Sequence, residues 1–576
     1  MTAGAWPAAV KKGRVLSVKI RRDERYRIFE IALVFAFLMA IILLGVFNPS
    51  KGINRVEVIP SNEAIQAYAL AMPAEGWSPL TVYFSAFGSR SSAESIVKYE
   101  WDLDGNGRYD VDATLAGGYA SYAYKKSGDY LVTLKVTDAQ GNAATDQVTV
   151  KVRYPASSSV DYWTVFDDSR VRRVDISLTS ADWDAMWADP EEKLTIPADA
   201  VIFGERLENV GFRMRGQFSL RMSGEKKPWK IDTDYYVDGQ EFNNLRQLMF
   251  LNNIGDASMI QEKLAYDAMH FAGVPSSNVC FVELWIDLKD DDQPSTFWGV
   301  YTMVERVDKK FLANRFGRDY DYGNLYKASH AERGPMNLVY YGATITDYPT
   351  QGGLYAYGKE TNEEQADYTD IIYLMYVIDG VTYATPEDFA AALEKVLNVD
   401  TFLRYMAVVN MLGNWDSYPY TGNNYYLFFN AGTGRFEWIP WDLTWGGDTR
   451  HPLFERGESE LVDRAPLFDR VFEVERYRVR YAGYLDLLAR YWFTEANISS
   501  LASKYHNMIA PFVAQGDGDK MYFGDTAMFP IEAFNDSWRQ YIDFTRERRK
   551  YIFSILAQPD WRSPDFKETQ IFGGGE

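Results

Sequence analysis

The sequence predicts a multidomain chain: an N-terminal transmembrane helix, an all-β sandwich, then a larger α+β domain in two lobes. Three observations carry this. An apolar run, Ile28–Phe47, follows a basic leader. Alternating, turn-bounded segments fill residues 55–153. Strands followed by a mainly helical half occupy residues 160–560. At 576 residues the chain is too long for one ordinary domain, and its 47% hydrophobic content can fill a large core.

The leader, residues 1–27, holds eight Lys/Arg and two acids, so the rest is more acidic than the net charge of −20. The run "IFEIALVFAFLMAIILLGVF" (Ile28–Phe47) is long enough to span a bilayer, with Glu30 its one charge. The excess of basic residues lies on its N-terminal side, which sets residues 1–27 in the cytoplasm and the body outside. A cleaved signal peptide is the other reading, and it also exports the body. The acidic body excludes nucleic acid as the main partner. Cys280 is the single cysteine, so no internal disulfide forms. The four histidines (His270, His330, His451, His506) show no zinc spacing, leaving a hard, oxygen-held ion as the metal the chain suits.

In residues 55–153, "LTVYFSAF", "VKYEWDLD", "YLVTLKVTD" and "DQVTVKVRY" alternate as half-buried strands, separated by Gly, Ser and Asp turns. The stretches "YEWDLDGNG" (Tyr99–Gly107) and "GDYLVTLKVTDAQGN" (Gly128–Asn142) resemble the PKD domain, an immunoglobulin-like sandwich. Asp102, Asp104, Asn106 and Asp110 stand at the spacing of an EF-hand calcium loop, but Ala113 replaces its closing Glu. Two readings share these residues: a Ca²⁺ site at Asp102–Asp110, or a strand end with its turn.

After the linker "YPASSSVDY" (Tyr154–Tyr162), strands are expected at Arg173–Leu178, Ala198–Phe203, Val210–Gly216 and Glu225–Asp234. In the third, Val210, Phe212 and Met214 share one face and Arg213 and Arg215 the other. "DASMIQEKLAYDAMHFAG" (Asp256–Gly273) reads as a helix capped by Asp256 and stopped by Gly273 and Pro275. Strands follow at Val279–Asp287 and Phe297–Val307, and helices dominate beyond residue 360. Strands, a Lys-bearing strand, a helix with Glu262, then a helical half with isolated Asp residues is the order of parts in a two-lobed kinase. In that arrangement Lys227 or Lys230 is the cation on the phosphates and Glu262 its helix partner. Asp416 orients the attacking hydroxyl, and Asn424 and Asp442 hold Mg²⁺. The chain has no Gly-x-Gly-x-x-Gly, His-Arg-Asp, Asp-Phe-Gly or Ala-Pro-Glu, and the Asp416–Asn424 spacing is longer than in ordinary kinases.

The series "VGFRMRGQFS", "KKPWKI", "QEKLAYDAMHFAGVPSS", "WGVYTMVERVDKKFL", "GNLYKA", "NNYYLF" and "FEWIPWDLTWG" resembles, in order over most of residues 170–450, the CotH family of spore coat protein H-like atypical kinases. The resemblance implies phosphate transfer from ATP to Ser/Thr of surface or secreted proteins, with Mg²⁺ or Mn²⁺. It implies Asp416 as catalytic acid, Asp442 as metal ligand, and Lys227 and Lys230 in the nucleotide-binding strand. It implies Glu305 near the adenine and Lys327 within reach of phosphate. Which lysine binds the nucleotide stays open, as does whether Asp416 or the Asn423–Asn424 pair lies nearest the transferred phosphate. Trp441 and Trp445 are expected to wall water off from Asp442.

Two other functions fit the same sequence. One is an inactive surface or adhesion protein with a kinase-like fold, presented on a PKD stalk. The other is a glycan hydrolase using Asp416 and Asp442 as a carboxylate pair.

Overall fold

A computed structural model describes residues 64–568 apart from 93–94, 155–163, 223, 318–321, 444, 457–460, 518–521, 524–525 and 528–530. The expected membrane span at 28–47 and the leader at 1–27 lie outside the described residues. Among those described, no helix is long and apolar enough to cross a membrane.

The first part is a β-sandwich, as its alternation predicts. Strands Glu75–Trp77, Ala143–Arg153, Gly128–Asp138, Ile96–Asp102 and Val111–Asp112 form one sheet, in that order. Leu70–Met72, Leu80–Ser85 and Ala120–Tyr124 form the other. Val82, Phe84, Trp101, Leu134, Val136 and Val150 meet between them, fully buried. The Trp101 indole donates to Gly118 O at 3.1 Å and Tyr124 OH to Leu103 O at 2.6 Å, so neither polar tip goes unsatisfied. Asp102, Asp104 and Asp110 do converge, with ligand-capable oxygens all within 4.8 Å. Asp102 Oδ1 and Oδ2 accept from Gly105 N and Gly107 N at 2.8 Å each, so the turn uses these oxygens.

The second part begins with seven strands. They are β1 (Arg172–Leu178), β2 (Ile196–Ile202), β3 (Glu205–Met214), β4 (Trp229–Asp232), β5 (Gln247–Leu251), β6 (Val279–Leu288) and β7 (Thr296–Glu305). They close into a barrel ordered β1-β2-β3-β4-β5-β7-β6, and the parallel β1–β6 pair seals it. Val210, Phe212 and Met214 face the barrel core, where Phe212 stacks on Trp229 at 4.9 Å. The strand expected over Glu225–Asp234 is shorter: it starts at Trp229. Pro228 has no N–H for a ladder, so Lys226 and Lys227 belong to the preceding loop and only Lys230 is a strand residue.

Helix α1 (Gln261–Ala272) lies between β5 and β6 in the chain. Asp256 accepts from Gln261 N at 2.8 Å, capping the helix from upstream, so α1 begins later than its sequence pattern suggests. The remaining half is mainly helical and holds one small sheet. Its strands are β8 (Leu325–Lys327), β9 (Gly358–Lys359), β10 (Tyr425–Asn430) and β11 (Arg435–Pro440), ordered β9-β8-β10-β11. Helix α2 (Val399–Leu412) is buried on nearly every side, as its near-continuous apolar sequence requires. It leads into the short α3 (Tyr418–Thr421). Helices α4 (Glu475–Leu487) and α5 (Gln540–Leu556) pack around it.

Leu70 and Met72 of the sandwich belong to the same core as α1, α2 and α4. The sandwich therefore packs on the helical half through a shared interior, which the picture of a module on a stalk did not anticipate.

Candidate functional site

The β10–β11 hairpin sets one wall of the site. Its ladder pairs Tyr425 with Pro440, and Trp441 N donates to Asn424 O at 3.1 Å, one step beyond. Asn424 and Asp442 thus sit at the open end of the hairpin. Both adopt left-handed backbone, at φ 61° and 50°. Non-glycine residues held there are uncommon and concentrate at functional sites.

The loop after α2 supplies the other acid. Asp416 Oδ1 accepts from Thr421 Oγ1 at 2.7 Å, and Oδ2 from Asn424 Nδ2 at 2.8 Å. The amide of Asn424 also donates to Asp416 O at 3.0 Å. Two chain crossings hold this loop against the one after Asp442. Gly446 N donates to Leu412 O at 3.0 Å, and a Cβ on Gly446 would overlap the Gly413 carbonyl.

Asp442 is solvent-exposed at the floor of a recess. The surrounding protein pushes its pKa up, Arg215 opposes that, Asp416 adds to it, and Lys327 opposes it again. The expectation that two tryptophans seal Asp442 from water does not hold. Trp445 turns into the helical core against Tyr541, Phe493 and Phe544. Trp441 packs edge-on against Tyr426 at 5.7 Å, and the Lys327 ammonium lies over both rings, 5.6 Å from Tyr426 and 5.7 Å from Trp441. Burial lowers the Lys327 pKa, Glu360 raises it, and Arg215 and Arg306 lower it further.

The barrel contributes the facing wall. Arg215 follows β3 directly, its N–H donating to Pro228 O at 3.0 Å. Its charge faces Asp442, Glu262, Tyr426 and Arg306, and burial lowers its pKa. Glu262, in the first turn of α1, is pushed well above the usual carboxylate range by burial and by Asp442, while Arg215 holds it down. Glu262 Oε1 is buried without a hydrogen-bond partner among the described residues. Such an atom is costly unless something fills the space beside it.

The expected lysines lie elsewhere. Lys227 is buried, donates to Leu220 O at 2.9 Å and lies 5.9 Å over the Trp187 ring. Lys230 pairs with Asp232 at 2.9 Å, and burial together with Arg306 and Arg213 brings its pKa to about 8 despite that partner. Neither lysine is a charge partner of Glu262; Arg215 is. Glu305 is also apart from the cluster. One of its oxygens accepts from Asn278 N and Arg315 Nη2, at 2.8 and 2.7 Å, and the other from Arg315 Nη1 at 3.3 Å. Both oxygens are engaged within the fold.

The structure thus brings together Asp416, Asn424, Asp442, Lys327 and Glu262, and leaves Lys227, Lys230 and Glu305 outside that group. It adds Arg215, which the kinase precedent for lysine passed over, and the Arg306–Glu360 pair at 3.2 Å. The signal for Arg215 was present: it shares the polar face of β3 with Arg213. Arg213 lies directly opposite Lys230, so like charges crowd this face. Crowded cations beside exposed carboxylates suit a polyphosphate with a divalent ion. The oxygen donors of Asp442 and Asn424 fit Mg²⁺ or Mn²⁺.

A family described as CotH kinase protein matches residues 212–552, and a PKD domain family matches residues 69–152. The chain is 24% identical over 342 residues to the inner spore coat protein H of Bacillus subtilis (strain 168), covering 58% of this chain and 84% of that protein. It is 31% identical over 140 residues to the pre-pro-metalloprotease PrtV of Vibrio cholerae serotype O1 (strain M66-2), covering 22% of this chain but 14% of that protein. The crystal structure of the PKD1 domain from Vibrio cholerae PrtV is 33% identical over 16% of this chain and 98% of its own, at a TM-score of 0.13. The PKD assignment rests on the sequence match, not on this likeness.

Proposed function

Because the chain belongs to the CotH kinase protein family, we propose that it transfers the terminal phosphate of ATP to a serine or threonine hydroxyl of a surface or secreted protein. One observation carries this reading: Asp416, Asn424, Asp442 and Lys327 converge in a single recess with the Arg215–Glu262 pair. In the transfer, the hydroxyl oxygen bonds to the terminal phosphorus, the bond to the ADP oxygen breaks, and the hydroxyl proton leaves. Asp416, oriented by Thr421 and Asn424, receives that proton. Trp415 beside it is 57% exposed, which leaves this flank open to a substrate chain. Arg215 and Lys327 neutralise phosphate oxygens, and Glu262 adds negative charge beside the Arg215 guanidinium. Asp442 and Asn424 hold the divalent ion, which when bound offsets charge on the phosphates. The run at 28–47 anchors the body outside the membrane with residues 1–27 in the cytoplasm.

The test is incubation of the full chain with labelled ATP and Mg²⁺ or Mn²⁺, alone and with a surface-protein extract. Label on serine or threonine that disappears in Asp442→Ala is the expected result. A wild-type chain that labels nothing with either ion sinks the reading and leaves an inactive surface protein.

A further inference from the structure

The sandwich meets the body along one helix. Leu70 lies over Gly483 of α4 so closely that a Cβ there would overlap its side chain, and Val479 meets Gly88 in the same way. Around these contacts, Tyr119 OH donates to Asp486 Oδ2 at 2.7 Å, and Arg90 pairs with Glu475 at 2.8 Å. Tyr83 stacks on Tyr491 at 4.3 Å, and Arg562 Nη2 donates to Gly88 O at 2.8 Å. Along α4 the apolar contacts at Val479 and Gly483 lie between polar ones at Glu475 and Asp486, and Leu70 and Met72 are 1% and 0% exposed. A module that swings on a linker has no need of so dry a contact.

The far side of α4 touches the elements that present the site. Tyr481 OH lies 2.8 Å from Asn410 Nδ2 of α2, and Arg404 of α2 donates to Tyr484 OH at 3.2 Å. The same guanidinium donates to Asp400 Oδ2 at 2.7 Å and to Ala272 O, the last carbonyl of α1, at 3.0 Å. Helix α1 carries Glu262, and α2 ends at the loop that carries Asp416. The sandwich also reaches α1 directly: Pro73 packs beside Gly273 just beyond its end.

We propose that the β-sandwich is a brace for the catalytic half, acting through α4 and Arg404 to hold α1 and α2 in register. Its partner surface is this chain's own helical half, not a separate molecule. Its catalytic consequence rests on the phosphotransfer reading, but the mechanical coupling does not. Arg404 is a positioning residue, since it touches the ends of two helices and none of the acids of the recess.

The first test weakens the contact from the sandwich side only, leaving every body residue intact. Leu70→Ala and Tyr119→Phe are made in the full chain, singly and together, and amide hydrogen exchange is read on α1, α2 and the barrel strands β1 and β2. The double variant is expected to exchange about tenfold faster in α1 and α2, with β1 and β2 unchanged. Acceleration confined to the sandwich and α4 overturns the proposal. If Leu70→Ala does not fold, Tyr119→Phe with Arg90→Ala, both at the rim, replaces it with the same two outcomes. Arg404→Lys keeps one donor and is expected to recover part of the protection lost in Arg404→Ala; equal exchange in both overturns the relay. A wild-type chain without phosphotransfer removes the catalytic consequence alone and leaves the exchange result to decide the coupling.

Discussion

Arg215, one residue past the end of β3, places its charge against both Asp442 and Glu262, the latter in the first turn of α1. Its charge therefore acts from the barrel on carboxyls of the helical half across the recess. An arginine here differs from the lysine of ordinary kinases: its planar guanidinium can hold a carboxylate and a phosphate with separate N–H groups. Arg215→Ala is expected to lower the phosphotransfer rate on the order of 100-fold. Arg215→Lys is expected to recover part of it. Initial rates with labelled ATP measure both, and equal rates in Arg215→Ala and wild type would remove Arg215 from the site.

Asp442 and Asn424 divide the metal side between them. Asp442→Asn keeps the shape and removes the charge, so the Mn²⁺ concentration needed for half-maximal rate is expected to rise at least tenfold. Asn424→Ala removes the two bonds its amide gives Asp416, at Oδ2 and at the backbone O, and leaves the one from Thr421; the rate is expected to fall about 10- to 100-fold. Metal titrations of the two variants separate these effects: the first shifts the midpoint, the second lowers the plateau.

Lys227 provides the contrast. It is buried, donates to Leu220 O and lies over Trp187, away from the acids of the recess. Lys227→Met is expected to cost about 1–3 kcal/mol of stability, by leaving a buried carbonyl short of its donor. Its phosphotransfer rate is expected to stay within a few-fold of wild type. Denaturant unfolding alongside the rate assay checks both, and a hundredfold loss of rate in a stable variant would restore Lys227 to the nucleotide site.

Burial raises the pKa of two structural carboxyls, Glu305 and Glu437, to about 7. Unfolded, each titrates near 4.3. Between those values the folded chain keeps a proton that the unfolded chain has lost. The stabilisation from each is complete below the unfolded value and declines as pH rises to about 7. Glu437 accepts from Asn398 Nδ2 at 2.7 Å, a bond that Gln can also accept. Glu437→Gln is therefore expected to lose less stability than wild type between pH 5.5 and 7.5, by about 2 kcal/mol. Unfolding curves at the two pH values measure the difference, and parallel changes in both proteins would refute it.

Much of this architecture is legible from local pattern. Most of the sandwich strands and the second half of β3, from Val210 to Met214, alternate, and the side chains there face as that alternation demands. Pro228 could have shortened β4, since its missing N–H is visible in the sequence. Barrel closure could not be foreseen: β1 and β6 pair across a hundred residues, and nothing local to either marks a parallel partner. The same limit hid the sandwich contact, because Leu70 and Met72 alternate identically whichever surface covers them. In the recess, the acids stand out by their rarity in apolar runs, while in sequence Arg215 reads as any exposed strand arginine. Its role emerges only when α1 and the β10–β11 hairpin are folded against it.

The contact between Gly413 and Gly446 bears on how such a protein is controlled. With no side chain able to enter between them, the loops bearing Asp416 and Asp442 behave as one welded piece. Parting these loops breaks the hydrogen bond from Gly446 N to Leu412 O beside α2. A signal that throws such a centre on or off has little to work on there. Under the proposed phosphotransfer, control belongs instead to admission: which protein chains and nucleotides reach the recess, past Trp415 on one flank and the cations of the barrel on the other.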